Sequence, residues 1–179
     1  IVIKEKEISA EIHEVDLNNI PDEIKILSPY DEYPSLVDRE LVLQNSRVII
    51  EYLDERFPHP PLLPVDPISR AKFRLALNEI EHSWYTKYAE AYNDEVLDDK
   101  FVTEIKTYFL EIAPLIKRKF FMSDDFGLVD CSIAPLLWRL KSLDFDLAEN
   151  NKVIGDYSER IFEREAFQDS LTETEKELF

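Results

Sequence analysis

A chain of 179 residues is long enough for one large domain or two small ones. Its 38 acidic residues against 21 basic ones leave a formal net charge of −17, which argues against tracking a naked nucleic-acid backbone or an anionic lipid surface, since both need a surplus of Lys and Arg. Two glycines, Gly127 and Gly155, cannot build a glycine-rich phosphate loop, and Cys131, alone in the chain, can form neither an intrachain disulfide nor a Cys-based zinc site. A single cysteine fits a reducing compartment. No apolar run approaches the ~20 residues of a membrane span, and no signal peptide is visible. A cytoplasmic protein is expected. The chain opens at Ile1 without Met, so the true N-terminus, with any site in it, is expected to lie before it.

In chain order, Ile1 to Lys6 reads as the last turns of a helix. Ala10 to Val15 alternates apolar and polar residues like a short edge strand. Pro21 to Leu27 reads as a short helix with Pro at its start. Ser35–Asp38 and Glu40–Leu43 are apolar pieces that suggest a hairpin turning at Asp38-Arg39. Ser46 to Phe57 is helical, with Ile49, Ile50, Leu53 and Phe57 on one face, and Pro58 stops it.

Pro58, Pro60, Pro61 and Pro64 then hold an extended connector. The domain boundary is placed here, giving 1–60 and 61–179. Beyond it every pattern is helical. Phe73, Leu77, Ile80, Trp84 and Tyr88 form one stripe, and Ile105, Phe109, Ile112 and Ile116 another. Leu128 to Leu140 is almost continuously apolar and reads as a central buried helix interrupted by Pro135. Ile154, Tyr157 and Ile161 mark a last amphipathic helix. The expected class is α/β followed by all-α.

Few residues suggest chemistry. Tyr33-Pro34 precedes a strand and forms a tight turn or a cis-proline loop. Asn45-Ser46 opens a helix, where either residue can cap the free N–H groups or leave them to an anion. Asp130, three residues after Gly127, suits the first turn of the buried helix as a structural cap. Cys131 reads as packing. His13, His59 and His82 are scattered without metal-ligand spacing. His59 differs from the others, because prolines flank it on both sides. Such a side chain is either an exposed linker residue or an anchor that loses little entropy on binding. Carboxylate pairs Glu51/Glu55, Asp98/Asp99 and Asp124/Asp125 read as surface charge.

Several segments resemble the glutathione S-transferase-like superfamily and, within it, the stringent starvation protein A family. The broader likeness lies in the Pro34 loop, Asn45-Ser46 and Phe126 to Asp130. The narrower one lies in LVDREL (Leu36–Leu41), SRVIIEYLDERFPHPPLLPV (Ser46–Val65), FGLVDCSIAPLLWRL (Phe126–Leu140) and RIFEREAFQDSLTE (Arg160–Glu173).

The resemblance implies a thioredoxin-like N-terminal domain, lacking its first strand here, and a helical C-terminal domain. It implies a homodimer and a starvation-response transcription regulator that binds RNA polymerase holoenzyme, with the sigma factor as a contact. In that family the surface matching Pro58, His59 and Pro60 is functional. On this reading the protein uses no cofactor or metal, catalyses nothing, and touches neither nucleic acid nor membrane directly. Tyr33, Pro34, Asn45 and Ser46 are then vestiges of a glutathione site. The rival reading is a glutathione-dependent transferase or thiol reductase. Two departures from the enzymes stand out. Asn45 replaces a longer Glu or Gln, and Gly127 replaces the Ser or Thr cap, so that Asp130 is expected to lack its side-chain partner.

Overall fold

Ser35–Asp38 (β1) and Leu41–Gln44 (β2) pair antiparallel, with Ser35 opposite Gln44 and Asp38 opposite Leu41. The turn thus falls on Arg39-Glu40, one residue later than the sequence pattern suggests. Arg39 has a φ of 59°, a left-handed conformation that tight hairpin turns use. The computed structural model describes residues 1–16, 18–28, 33–93, 99–116, 118–142 and 145–177. Asp98 lies outside them. The chain divides into two units, Val2–Pro60, and Pro61–Phe179 together with Ile1.

In the first unit the hairpin is joined by three helices, α1 (Val2–Glu5), α2 (Asp22–Leu27) and α3 (Ser46–Arg56). Helix α1 ends as helices often do, with the Ile8 N–H bonded to the Ile3 carbonyl and Glu7 at φ 51° where glycine is usual. The strand expected over Ala10–Val15 does not form. A strand must pair its N–H and C=O groups, and β1 and β2 make the whole sheet among the described residues. Ile12 there is exposed rather than packed. Helix α3 buries Ile49 and Leu53. It also buries Asp54, on the face that should be apolar.

The second unit is helical: α4 (Pro67–Glu79), α5 (Thr86–Asn93), α6 (Asp99–Ile112), α7 (Leu128–Ser142), α8 (Leu147–Asn150), α9 (Lys152–Phe162), α10 (Glu165–Gln168) and α11 (Glu173–Lys176). Asp66 caps α4, accepting from Ile68 and Ser69, with Pro67 in the first turn. Between α4 and α5 the chain takes a π-helical path, Ile80–Tyr85. The stripe explains why. Steps of four residues drift about 40° each off the face of an ideal α-helix. The wider π turn keeps Ile80, Trp84 and Tyr88 pointing inward, and all three are buried.

Helix α7 is the centre of this unit. Leu128, Val129, Ile133, Ala134 and Leu137 have no exposed surface, and the helix continues through Pro135. Leu62 and Leu63, expected in a plain connector, are buried as well. The Leu62 carbonyl accepts from the Leu128 N–H at 2.9 Å. A Cβ on residue 127 would come within 2.8 Å of that carbonyl, which is why Gly127 stands there. Helix α9 is not the last. Helices α10 and α11, four residues each, are too short for a period to register. Their ring Phe167 packs with Phe162 against Trp138, whose indole N–H reaches the Glu175 carbonyl at 3.3 Å.

Candidate functional site

The first unit ends in an exposed segment held by a buried charge. Pro58 stops α3, and Pro58, His59 and Pro60 are all exposed. The His59-Pro60 peptide bond is cis. Beneath them lies the fully buried side chain of Lys6. Its ammonium donates to the Phe57 carbonyl at 2.6 Å and the Pro60 carbonyl at 2.8 Å. It also sits 2.7 Å from Asp54 Oδ1. Three donors meet three acceptors, the condition under which a buried cation is tolerated. Asp54 projects from the last turns of α3, so helix end and proline segment share one cation.

Beside them, Tyr52 donates to Asp38 Oδ2 at 2.6 Å, and Arg56 Nε lies 3.6 Å from the same oxygen. The Tyr52 hydrogen bond, with Arg56 adding its charge, holds the Asp38 carboxyl below its usual value. These contacts fix the turn of the hairpin against the end of α3.

The other end of α3 carries the positions expected as glutathione-site vestiges. Ser35 pairs with Gln44, so Tyr33-Pro34 and Asn45-Ser46 flank the open end of the hairpin. The Tyr33-Pro34 bond is cis, and the buried Tyr33 hydroxyl has no hydrogen-bond partner among the described residues. Asn45 has φ 72°, and its Oδ1 accepts from the N–H groups of Arg47 at 3.0 Å and Val48 at 3.2 Å. Asn45 is thus the plain helix cap. The structure brings Tyr33, Pro34, Asn45 and Ser46 together. Helix α3, eleven residues and about 16 Å long, lies between Asn45 and the Pro58 segment.

Asp130 is buried in the first turn of α7. It accepts from the N–H groups of Phe121 at 3.0 Å and Gly127 at 2.8 Å. Position 127 meets it only through the backbone, and a side-chain partner comes instead from α9, where the Tyr157 hydroxyl donates to it at 2.6 Å. Burial pushes its carboxyl up to about 6, while these hydrogen bonds oppose the rise. Cys131 is buried beside it. His13 is 3.1 Å from Glu11, and His82 is 3.0 Å from the Asn78 carbonyl. Among the described residues no cluster of His, Cys, Asp and Glu could hold a metal, and no helix is long and apolar enough to cross a membrane. Of the carboxylate pairs, Glu51 faces Arg47 and Asp124 faces Arg118.

Sequence alone assigned no buried polar contact to Lys6 or to Tyr157. Asp54 was the available signal for the first. It lies four residues after Ile50 and one after Leu53, inside the apolar stripe, and a charge there requires a buried partner.

Known proteins resemble this chain in sequence and in fold. Residues 1–61 match the model of the glutathione S-transferase N-terminal domain, and residues 65–165 that of the C-terminal domain. The chain is 48% identical to a stringent starvation protein A homolog of Haemophilus influenzae, covering 97% of this chain and 83% of the relative. It is 45% identical to the corresponding homolog of Coxiella burnetii, covering 99% and 87%. Among solved structures, glutathione transferase Omega 3C from Trametes versicolor superposes with a TM-score of 0.85 at 18% identity, covering 96% of this chain and 81% of the other. The fold is therefore glutathione S-transferase-like, with a thioredoxin-like N-terminal domain and a helical C-terminal domain.

Proposed function

The chain belongs to the stringent starvation protein A family, and from that membership we propose that it regulates transcription by docking on RNA polymerase holoenzyme through Pro58, His59 and Pro60. The observation that carries this reading is the exposure of all three residues beyond the end of α3, with His59 on a backbone anchored from below. Two prolines restrict the backbone on either side, so little freedom remains to be lost when a partner takes the imidazole. A net charge of −17 favours a partner with basic surfaces and speeds encounter with it. In this reading the sigma factor is part of the contacted surface, and DNA is met only through the polymerase.

The reading is of a protein that works without catalysis, cofactor or metal. It is supported at the opposite end of α3, where the Asn45 side chain occupies N–H groups that an anionic ligand would otherwise take. A cytoplasmic homodimer completes the proposal. Val37 and Val42 face each other across the hairpin and both are exposed, a surface that a second copy can cover. Sedimentation at micromolar concentration should give twice the chain mass.

The decisive experiment replaces Pro58, His59 and Pro60 together by Ala. The variant should keep the wild-type thermal melt and lose capture of polymerase holoenzyme. A folded variant that captures polymerase as well as wild type would remove the docking reading.

A further inference from the structure

We propose that Lys6 is a positioning residue for the docking segment: its buried ammonium, held by Asp54, clamps the carbonyls of Phe57 and Pro60 and so sets the direction in which His59 is offered to a protein partner. This deepens the docking reading above and rests on it.

The geometry is specific. The two carbonyls are three residues apart and flank Pro58 and His59. Both accept from one nitrogen, at 2.6 and 2.8 Å. A short stretch with both ends tied to one point keeps few conformations, and Pro58 removes φ freedom within it. The nitrogen is itself fixed, because Asp54 belongs to helix α3 and lies 2.7 Å away. Position therefore passes from α3 through Asp54 and Lys6 to the segment. Lys6 has no exposed side-chain surface and cannot touch a partner. Any effect it has on binding must act through the residues it holds. Without the clamp, ordering His59 would be part of the binding event and would weaken it.

Removing Lys6 alone would leave the buried Asp54 carboxylate without its cation, a strongly destabilising change. The test therefore pairs Lys6→Met with Asp54→Asn. This keeps the side-chain volumes close, removes both charges together, and leaves the two carbonyls without their donor. Two quantities are read on the full chain. One is the backbone order of the His59 amide from nitrogen-15 relaxation, with the residues of α3 as internal standard. The other is affinity for purified polymerase holoenzyme, with the Pro58/His59/Pro60 triple-Ala variant alongside.

In wild type the His59 amide should be as ordered as α3. In the paired variant it should be mobile while α3 stays ordered, and affinity should fall about tenfold. A wild-type His59 amide as mobile as a free linker overturns the proposal, whatever the variant does. So does a paired variant with unchanged order and affinity beside a triple-Ala variant that no longer binds. If the triple-Ala variant binds like wild type, docking through this segment is wrong, and the positioning role of Lys6 falls with it.

Discussion

The Tyr157 hydroxyl, on α9, donates to Asp130 Oδ1 at 2.6 Å, joining two helices by a hydrogen bond to a carboxylate with no exposed surface. Burial raises the Asp130 carboxyl from 3.8 to about 6 in the folded chain. The folded state thus holds more protons than the unfolded state between those values. The stability from this group is complete below the lower value and is lost as pH rises through about 6.

Asp130→Asn provides the reference that does not titrate. It should be less stable than wild type throughout, because its NH2 group would face one of the N–H donors of Phe121 and Gly127 where an acceptor oxygen now stands. The gap should narrow by roughly 2–3 kcal/mol from pH 4 to pH 7. Tyr157→Phe should cost about 1–3 kcal/mol at neutral pH. Because the phenol holds the carboxyl down, this variant should also move the titration above 6. Trp84 and Trp138, the two tryptophans, both lie in the helical unit, so fluorescence-monitored urea unfolding reads it. A gap that does not vary with pH would refute the argument.

Gly155 offers a second, purely steric test. A Cβ there would lie 2.5 Å from the Ala148 Cα and 2.6 Å from its Cβ. Helix α9 passes over α8 with no room for a methyl group. Gly155→Ala would gain up to about 1 kcal/mol in helix propensity. The atom it meets is backbone, however, and cannot swing away, so overpacking of about 1–3 kcal/mol should prevail. A lower melting temperature is expected. Adding Ala148→Gly should restore only part of it, since the clash with the backbone of residue 148 remains. A Gly155→Ala chain as stable as wild type would show that α8 shifts freely.

The parts of this fold that were legible in the sequence were those written in side-chain period. Phe109, Ile112, Leu137 and Ile161 follow the helical repeat and are buried where it puts them. The segment Ala10–Val15 has a strand's alternation without a strand's pairing, and alternation alone does not supply the missing partner. Leu62 and Leu63 were hidden among prolines, whose backbone signal overrode their apolar one. Lys6 and Asp54 are 48 positions apart, and Asp130 and Tyr157 are 27 apart. A polar pair so separated leaves no periodic mark. It shows only as a charge out of place on an apolar face. The exposed Pro58-His59-Pro60 segment was legible because prolines constrain the backbone locally, whereas the buried clamp beneath it depends on the tertiary fold.

Asn45 also sets what glutathione can find at the start of α3. The N–H groups of Arg47 and Val48 at the start of α3 already donate to Asn45 Oδ1. A ligand carboxylate must displace that cap, and the short amide then offers it little in return. A polar contact missing from a binding site costs about 1–3 kcal/mol, or roughly ten- to hundredfold in affinity. Calorimetry should therefore find glutathione binding no tighter than about 1 mM, and no thiol transfer should be detectable. Asn45→Ala should destabilise the chain by about 1 kcal/mol or more, since it loses the cap and leaves Ala at φ 72°. Asn45→Gly, which tolerates that φ, should cost less. Asn45→Gln restores the longer side chain, and it should improve glutathione affinity while weakening the cap. Micromolar glutathione binding with turnover in the unmodified chain would overturn the argument and favour the enzyme reading.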